Sequence, residues 1–406
     1  MSPLLLLLAC STARTVVIEE PPPLDLEPTV ILVSLDGFRW DYQDRADTPT
    51  LDRLAAEGVR ADALIPAFPS KTFPNHYTIA TGLYPEHHGI VDNSFYDPER
   101  DAWFSMSDSA TVLDGSWWGG EPIWATAERQ GQRAGTCFWP GSEAEIAGER
   151  PSYYKPYSGG MAWEDRVAQL MTWLELPADE RPTFLTLYYN EPDHTGHKYG
   201  PDGPEVELAA AEADAGVGLL VDALEERGLL DQVDVLVVSD HGMASMSPER
   251  LVFLDEHINA DALEVTAWGP YAFLWPEAEQ VPTLVEALAD LPHASCYARE
   301  DVPASLHFTA NARIAPLICV AEVGWSLTTR DWASWNQDYY EGATHGWDPA
   351  YTEMHGVLLG RGPSLKVGLA SPPVRNIDLY SLMTHLLELE PAETDGSLDG
   401  VEHLLR

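Results

Sequence analysis

Apolar runs of strand length alternate with longer helical segments along the chain. Residues 29–35 are continuously apolar and rich in β-branched side chains, which is typical of a strand buried on both faces. Residues 183–189 and 233–239 have the same character, while residues 49–58 and 205–228 have the composition of helices. This alternation predicts an α/β fold with a mostly parallel sheet and helices on both faces. Residues from about 246 to 330 have a mixed pattern and are predicted to form a smaller appended region.

The amino terminus has the pattern of an export signal. Residues 1–9 form a short apolar run that ends before Cys10, and this resembles a bacterial lipoprotein signal with cleavage before Cys10 and a lipid on its sulfur. Residues 10–29 contain several acids and three consecutive prolines, which predict a stiff, solvated tether. We therefore expect an exported lipoprotein, periplasmic or at the cell surface, held to the membrane through Cys10. An ordinary secretory signal, or a fragment of one, is the alternative.

The net charge and the cysteine content argue against some classes of partner and metal site. The chain has 65 acidic and 23 basic residues and a formal net charge of −42. This charge repels the nucleic-acid backbone, so a duplex is not an expected partner. An anionic substrate would need a local source of positive charge, and a bound metal is one such source. The four cysteines form no CxxC pair, which argues against a cysteine zinc site; Cys296 and Cys319 are able to pair in an oxidising compartment.

Metal-ligand side chains follow three of the predicted strands. Asp36 comes after the first strand, Asp193 and His197 follow the second, and Asp240 and His241 follow the third. Parallel sheets place ligand sites at the carboxyl ends of their strands, and aspartate and histidine are ligands that zinc accepts. Each aspartate alone is equally well explained as a helix cap. A further histidine, His345, precedes a glycine and adds another imidazole.

Thr72 lies just before a proline-marked helix start. In a purely structural role, Thr72 would be the N-cap of the helix that Pro74 opens. The same position suits a nucleophile, because the positive end of a helix dipole favours an alkoxide and a phosphate brought to it. The nearby histidines His76, His87 and His88 are interpreted as ordinary loop residues.

The combination of these motifs resembles the nucleotide pyrophosphatase/phosphodiesterase family of the alkaline phosphatase superfamily. The resemblance extends over roughly residues 30–385. It rests on LDGFR (35–39), FPSKTFPNH (68–76), GLYPEHHGIVDN (82–93), FWPGS (138–142), EPD (191–193) with GH (196–197), SDHGM (239–243), HGWD (345–348), RIAPL (313–317) and GW (324–325). The sequence departs from the family pattern after His345, where the usual His-Gly-Tyr-Asp-Asn reads His-Gly-Trp-Asp-Pro. The length of the chain is similar to that of the compact bacterial members.

The resemblance implies an alkaline-phosphatase-like catalytic domain over residues 30–406 with a site for two Zn²⁺ ions. One zinc would be held by Asp193, His197 and His345. The other would be held by Asp36, Asp240 and His241, with Thr72 as fourth ligand and nucleophile. The implied activity is hydrolysis of phosphodiester or pyrophosphate bonds in a small-molecule substrate such as a nucleotide, through a phosphothreonine intermediate, with release of a monophosphate.

The resemblance also assigns substrate contacts. Asn93, together with the backbone N–H of Phe73, would steady a phosphoryl oxygen, and Lys71 lies beside the nucleophile. Phe73, Tyr157 and Tyr188 match positions that stack on a base, although core packing explains the same aromatic residues. Two alternatives stay open: a phospholipid or choline-headgroup phosphodiesterase of the same family, and a catalytically inactive, lipid-anchored binding protein.

Overall fold

The computed structural model describes residues 24–406. The predicted signal peptide of residues 1–9, the lipidated Cys10 and most of the tether of residues 10–29 lie outside this range. The end of the tether packs on the domain: Leu24 and Leu26 contact the core, and Gln232 Nε2 donates to the carbonyl of Leu24 (3.0 Å). Leu24 and Leu26 are partly buried, whereas Asp25, Glu27 and Pro28 are exposed, so the described end of the tether is solvated except at these two leucines.

An eight-stranded sheet lies at the centre of the domain. Its first strand, Thr29–Leu35, pairs in parallel with Phe184–Tyr189 on one side and with Val233–Val238 on the other. All strands but Leu358–Arg361 run in the same direction. Across the sheet, the strands follow the order Leu369–Ser371, Val59–Ala61, Leu358–Arg361, Val233–Val238, Thr29–Leu35, Phe184–Tyr189, Ala134–Cys137 and Tyr153–Lys155.

Both faces of the central strand are buried, as its continuous apolar sequence predicts. Ile31 and Val33 pack into the core on one face, and Val30 and Leu32 pack into the core on the other. Strand side chains alternate between faces, so a strand covered on both sides is apolar at most positions; the buried hydroxyl of Ser34 lies 2.8 Å from Nε2 of His76.

Helices cover both faces of the sheet. One face carries Pro49–Glu57, Trp163–Leu174 and Pro204–Glu226. The other carries Thr72–Thr81, Ile123–Arg129 and Leu379–Leu386. The shorter helices are Pro85–His88, Ser109–Val112, Asp193–Tyr199, Val281–Ala287 and Arg330–Trp335. The predicted α/β class is thus confirmed. Within residues 24–406, none of the helices combines the length and the apolar character that crossing a bilayer requires.

A second, antiparallel sheet forms within the stretch predicted as an appended region. Its four strands follow the order Glu264–Ala267, Tyr271–Trp275, Leu317–Ala321 and Ala294–Ala298. The chain leaves the main domain after Ala244–Ser245 and returns at Ala343–Thr344, and these two short strands pair with each other. The bounds of the appended region, from about residue 246 to 330, stay a prediction.

A disulfide links two adjacent strands of the second sheet, and the remaining strands form short pairs. Cys296 and Cys319 lie opposite each other on adjacent strands and are bonded. Three further two-stranded pairs are Leu251–Phe253 with Ser326–Thr328, Val374–Arg375 with Leu64–Ile65, and Ser94–Asp97 with Ala102–Ser105.

Candidate active site

Three aspartates converge at the carboxyl edge of the main sheet. Asp36 follows the first strand, Asp240 follows Val233–Val238 closely, and Asp193 begins the helix after Phe184–Tyr189. Gly37 allows their close approach: its φ is +64°, and a Cβ there would lie 2.8 Å from the Cβ of Asp193. The N–H of Gly37 also donates to Asp240 Oδ1 (3.1 Å). A glycine is therefore required at this turn for both conformation and space.

Five ligand side chains form two overlapping groups. The ligand atoms of Asp36, Asp240 and His241 lie within 4.8 Å of one another, and so do those of Asp193, His241 and His345. Nε2 of His241 is 3.0 Å from Asp240 Oδ2, and its ring stacks on that of His345 with centroids 3.5 Å apart. Five of the six protein ligands expected from the sequence besides Thr72 thus lie in one continuous cluster.

His197 lies at the open side of this cluster. Its Nε2 is 3.4 Å from Oδ1 of Asp193, and its side chain is 40% exposed. Its ring centroid is 5.1 Å from that of His345. The structure therefore brings His197 next to the ligands with which the resemblance groups it.

Each of the three cluster histidines is oriented by a backbone carbonyl. In every case Nδ1 lies within hydrogen-bond distance of a carbonyl oxygen, that of Ala343 for His197 (2.8 Å), Gly242 for His241 (2.9 Å) and Ser70 for His345 (2.7 Å). A proton on Nδ1 leaves the lone pair of Nε2 directed at the cluster. This arrangement is the one that metal-ligating histidines adopt.

Three carboxylate oxygens of the cluster are buried without a hydrogen-bond partner in the described chain: Oδ1 of Asp36, Oδ1 of Asp193 and Oδ2 of Asp240. Burying an unpartnered carboxylate is costly, and buried charges are normally paired or coordinate metals. Oxygen and imidazole nitrogen donors together suit zinc. The residues therefore fit a site for divalent metal.

The electrostatics of the cluster lead to the same conclusion. Burial raises the pKa of Asp36 well above its usual range, and the charges of Asp240 and Asp193 raise it further. Burial would also raise the pKa of Asp240, but His241 and His76 hold it well below its ordinary value. Carboxylates this close cannot all ionise at low cost without added positive charge, and a bound cation supplies that charge.

Thr72 is the first residue of the helix Thr72–Thr81. Its Oγ1 is 3.4 Å from His241 Nε2. The N-cap position is occupied by Lys71, and no side chain caps this helix end. The interpretation of Thr72 as the N-cap is therefore wrong by one residue, and its hydroxyl faces the ligand cluster.

Asn93 and Lys71 lie on two sides of this helix start. The N–H of Phe73 donates to Asn93 Oδ1 (2.8 Å), which fixes the amide beside the threonine. The Lys71 side chain turns inward, with its Nζ 5.8 Å from the ring centroid of Tyr271. Burial lowers the pKa of Lys71, whereas the charges of Asp92 and Asp193 oppose this shift. Lys71 thus places positive charge near the Asp193 side of the cluster.

An aromatic cavity of about 160 Å³ opens beside Thr72. The three aromatic residues singled out by the sequence, Phe73, Tyr157 and Tyr188, all line it. Tyr157 is 56% exposed, so core packing does not explain this residue. The cavity is also lined by residues for which the sequence predicted no role: Met106, Val112, Phe138, Trp139, Pro140, Gly141 and Glu143.

His76 contacts both the helix start and the ligand cluster. Its Nδ1 lies 2.9 Å from the carbonyl oxygen of Thr72 and 3.4 Å from Asp240 Oδ2, and its Nε2 lies 2.8 Å from Ser34 Oγ. Its interpretation as a loop residue is wrong, because it is buried in a helix, four residues after Thr72. That spacing, one helical turn, was the only local signal that could have linked the two residues. His87 and His88 likewise lie in a short helix, Pro85–His88.

The sequence profile of the type I phosphodiesterase / nucleotide pyrophosphatase family matches residues 30–348 of this chain. The chain belongs to this family. Human ectonucleotide pyrophosphatase/phosphodiesterase family member 1 is 38% identical over 391 residues, which are 93% of this chain and 42% of the human protein. A pyrophosphatase/phosphodiesterase of Schizosaccharomyces pombe is 38% identical over 392 residues, 94% of this chain and 81% of that protein. The chain spans about half the length of the first curated relatives that it matches.

Solved structures of family members share the fold. Murine ectonucleotide pyrophosphatase/phosphodiesterase 5, an inactive threonine-to-alanine variant in complex with AMP, superposes with a TM-score of 0.88 at 34% identity, covering 94% of this chain and 100% of the murine chain. The human form of the same protein gives a TM-score of 0.87 at 35% identity, covering 93% of this chain and 100% of the human chain. The alkaline-phosphatase-like α/β fold implied by the resemblance is therefore confirmed.

Proposed function

We propose that this chain is a zinc-dependent hydrolase of phosphodiester or pyrophosphate bonds in nucleotides, with Thr72 as its nucleophile. The observation that carries the proposal is the set of three buried, unpartnered carboxylate oxygens of Asp36, Asp193 and Asp240. These aspartates share two groups of close ligand atoms with His241 and His345, and the Thr72 hydroxyl lies 3.4 Å from His241 Nε2. Such a cluster at the edge of a parallel sheet is the arrangement expected of a metal-dependent active site.

Two zinc ions would divide the cluster as the family resemblance implies. Asp193, His197 and His345 would hold one, and Asp36, Asp240 and His241 the other, with the Thr72 hydroxyl completing the second set. Three histidines favour zinc over the oxygen-preferring Mg²⁺ and Ca²⁺. When bound, the metal pair supplies Lewis-acid stabilisation to the entering and departing oxygens of an in-line displacement.

Thr72 performs the covalent step of the proposed reaction. Its Oγ attacks phosphorus while the bond from phosphorus to the leaving oxygen breaks. The hydroxyl proton ends on the departing alcohol or phosphate, and the product is a phosphothreonine that is still esterified to the retained nucleoside. Water then cleaves the Thr72–phosphorus ester and regenerates the hydroxyl, which releases a monophosphate. The positive helix end at Thr72 stabilises the phosphoryl oxygens during both steps.

Asn93 and Lys71 bind the phosphoryl group from two sides. The N–H of Phe73 holds Asn93 Oδ1, so the amide nitrogen of Asn93 remains the donor for a phosphoryl oxygen. Lys71 supplies one positive charge where the net charge of the chain is −42. A neutral amide and a single lysine suit a diester, which carries less charge at phosphorus than a monoester does.

The aromatic cavity would accept the base of the retained nucleotide. Phe73, Tyr157 and Tyr188 present flat faces beside Thr72, and stacking of a base on an aromatic side chain is worth about 1–3 kcal/mol. The AMP complex of the murine relative supports a nucleotide as the ligand class.

Activity on matched esters tests this proposal. We expect the zinc-loaded protein to hydrolyse the p-nitrophenyl ester of thymidine monophosphate at least about a hundredfold more efficiently than p-nitrophenyl phosphate, a difference of about 2.7 kcal/mol in barrier. Equal efficiencies would contradict diester specificity. A higher rate on p-nitrophenyl phosphocholine than on the nucleotide ester would favour the lipid-headgroup alternative, and no turnover of any ester would favour the inactive binding protein.

We also propose export and lipid anchoring at Cys10, on the sequence pattern of residues 1–10. Replacement of Cys10 by Ala is expected to move the protein from the membrane pellet to the supernatant. An unchanged pellet fraction would contradict lipidation at this residue.

A further inference from the structure

Arg166 is a buried cation with an unusual set of neighbours. It belongs to the helix Trp163–Leu174 and is 1% exposed. Among residues 24–406, no carboxylate lies within ion-pair distance of its guanidinium. Burial lowers the pKa of Arg166. A buried arginine without an acidic partner is costly, and an apolar residue of similar volume would fill the same space without that cost.

The guanidinium instead contacts backbone carbonyls and aromatic rings, and two of these four contacts are with residues that line the aromatic cavity, Phe138 and Tyr188. Nη1–H donates to the carbonyl of Tyr188 (2.6 Å), and Nε–H donates to the carbonyl of Met161 (3.0 Å). Its Cζ lies 5.1 Å from the ring centroid of Phe138 and 5.9 Å from that of Tyr189. Arg166 thus holds two cavity walls, Phe138 by a cation–π contact and Tyr188 by a hydrogen bond.

The two cavity walls that Arg166 contacts, Phe138 and Tyr188, are linked to each other through further ring contacts. Phe138 has a φ of +67°, a left-handed conformation that is an outlier for a bulky side chain. Its ring contacts Tyr157 edge to face, with centroids 5.3 Å apart. Tyr157 in turn contacts Tyr188 with centroids 6.1 Å apart. Arg166 therefore lies beneath a connected set of rings, and the position of each ring sets the width of the cavity.

We propose that Arg166 is a positioning residue that determines specificity for the base of the substrate, by fixing Phe138 and Tyr188 as walls of the aromatic cavity. The inference rests on the proposed function, because it concerns the retained nucleotide of the same reaction. Arg166 does not touch the reacting atoms. Its loss is therefore expected to weaken binding of substrates with a base and to leave the chemistry on small esters largely unchanged.

The test compares two diesters in Arg166→Met, a variant of similar volume without the charge. The p-nitrophenyl ester of thymidine monophosphate retains a base, whereas methyl p-nitrophenyl phosphate retains only a methyl group. We expect KM for the nucleotide ester to rise about tenfold, with kcat changed less than about threefold. We expect kcat/KM for the methyl ester to change less than about threefold. Equal losses on both esters, or no loss on either, would overturn the inference.

Two further variants make the test decisive. Arg166→Lys retains the charge and a donor for the Tyr188 carbonyl but not the flat guanidinium, so its KM for the nucleotide ester should lie between those of the wild type and Arg166→Met. If Arg166→Met does not fold, the ratio of kcat/KM for the two esters in Arg166→Lys decides. Arg313→Met is the control, because Arg313 is a partly buried guanidinium over two rings, those of Phe95 and Trp117, that pairs with Asp97 and lies outside the cavity. The ratio of kcat/KM for the nucleotide ester to kcat/KM for the methyl ester should be the same in Arg313→Met as in the wild type. A shifted ratio in this control would overturn the inference.

The wild-type rates separate this inference from the proposed function. If the wild-type protein hydrolyses neither ester, the proposed function fails, and calorimetric titration of AMP then tests the cavity alone. We expect Arg166→Met to bind AMP about tenfold more weakly than both the wild type and Arg313→Met. Equal affinities in the three proteins would overturn the role of Arg166.

Discussion

The Tyr188 hydroxyl donates a hydrogen bond of 2.6 Å to Oδ2 of Asp36. This contact joins the aromatic cavity, which Tyr188 lines, to the ligand cluster, of which Asp36 is a member. Burial raises the pKa of Tyr188 well above its usual range, and the charge of Asp36 raises it further, so the phenol remains a donor. A side chain expected only to stack on a base therefore also orients a candidate metal ligand.

Replacement of Tyr188 by Phe should separate these two roles. The ring remains as a wall, but Oδ2 of Asp36 loses its partner. We expect kcat to fall about tenfold with KM for the nucleotide ester nearly unchanged, because an unsatisfied buried acceptor costs on the order of 1–3 kcal/mol. Tyr188→Ala is the comparison variant and should raise KM as well. A tenfold rise in KM with normal kcat in Tyr188→Phe would contradict the role in orienting Asp36.

Replacement of Thr72 by Ala should remove turnover while the fold is retained. Its hydroxyl lies 3.4 Å from His241 Nε2, and the rest of the side chain makes no hydrogen bond that the helix start needs. We expect the rate to fall at least about a hundredfold, since loss of a covalent nucleophile normally costs several orders of magnitude. Thr72→Ser keeps the hydroxyl and should retain measurable activity. Rapid mixing of the wild type with the nucleotide ester, followed by mass spectrometry, should detect a peptide that carries the nucleotidyl group on Thr72; its absence together with an active Thr72→Ala would rule out this nucleophile.

Metal removal should affect both rate and stability. Without a cation, the buried carboxylates of Asp36, Asp193 and Asp240 repel one another, and each has one oxygen without a hydrogen-bond partner in the described chain. We expect a chelator to abolish activity and to lower Tm, because a metal that binds only the folded state stabilises it. Added Zn²⁺ should restore both, whereas Mg²⁺ should not, because it prefers oxygen ligands in an octahedral arrangement. Full activity and unchanged Tm in the metal-free protein would contradict the assignment of this cluster as a metal centre.

The sequence predicted those features that depend on local pattern. Residues 29–35 are continuously apolar and form a strand with those bounds, and the acidic residues that follow the strands meet at their carboxyl ends. The role of His76 was not predictable, because its contact with Asp240 joins positions far apart in the sequence, and a buried helix histidine has no distinctive pattern. The same holds for Arg166, whose partners are backbone carbonyls and rings.

The pH dependence of stability should carry a contribution from His88. Burial lowers the pKa of His88 from 6.5 to about 3. Its Nδ1 accepts from the N–H of Ile90 (3.1 Å) and its Nε2 bonds to Thr78 Oγ1 (3.0 Å), so the folded protein holds the neutral ring. The unfolded chain takes up a proton near pH 6.5, whereas the folded chain does so only near pH 3. Between these values the unfolded state binds more protons, and stability falls as the pH is lowered.

Replacement of His88 by Gln should reduce this dependence. Gln supplies an amide in place of the ring and does not titrate, so the variant is expected to be less stable than the wild type at pH 7 and to lose less stability on acidification. From pH 7 to pH 5, the wild type should lose about 2 kcal/mol more of its unfolding free energy than His88→Gln, from about 1.4 kcal/mol per proton and pH unit below the unfolded pKa. Urea unfolding at both pH values measures the difference. His257→Gln, a change at an exposed histidine, is the control and should follow the wild type. Parallel losses in the wild type and His88→Gln would show that the buried ring does not stay neutral, because the linkage of proton uptake to unfolding requires the two to diverge.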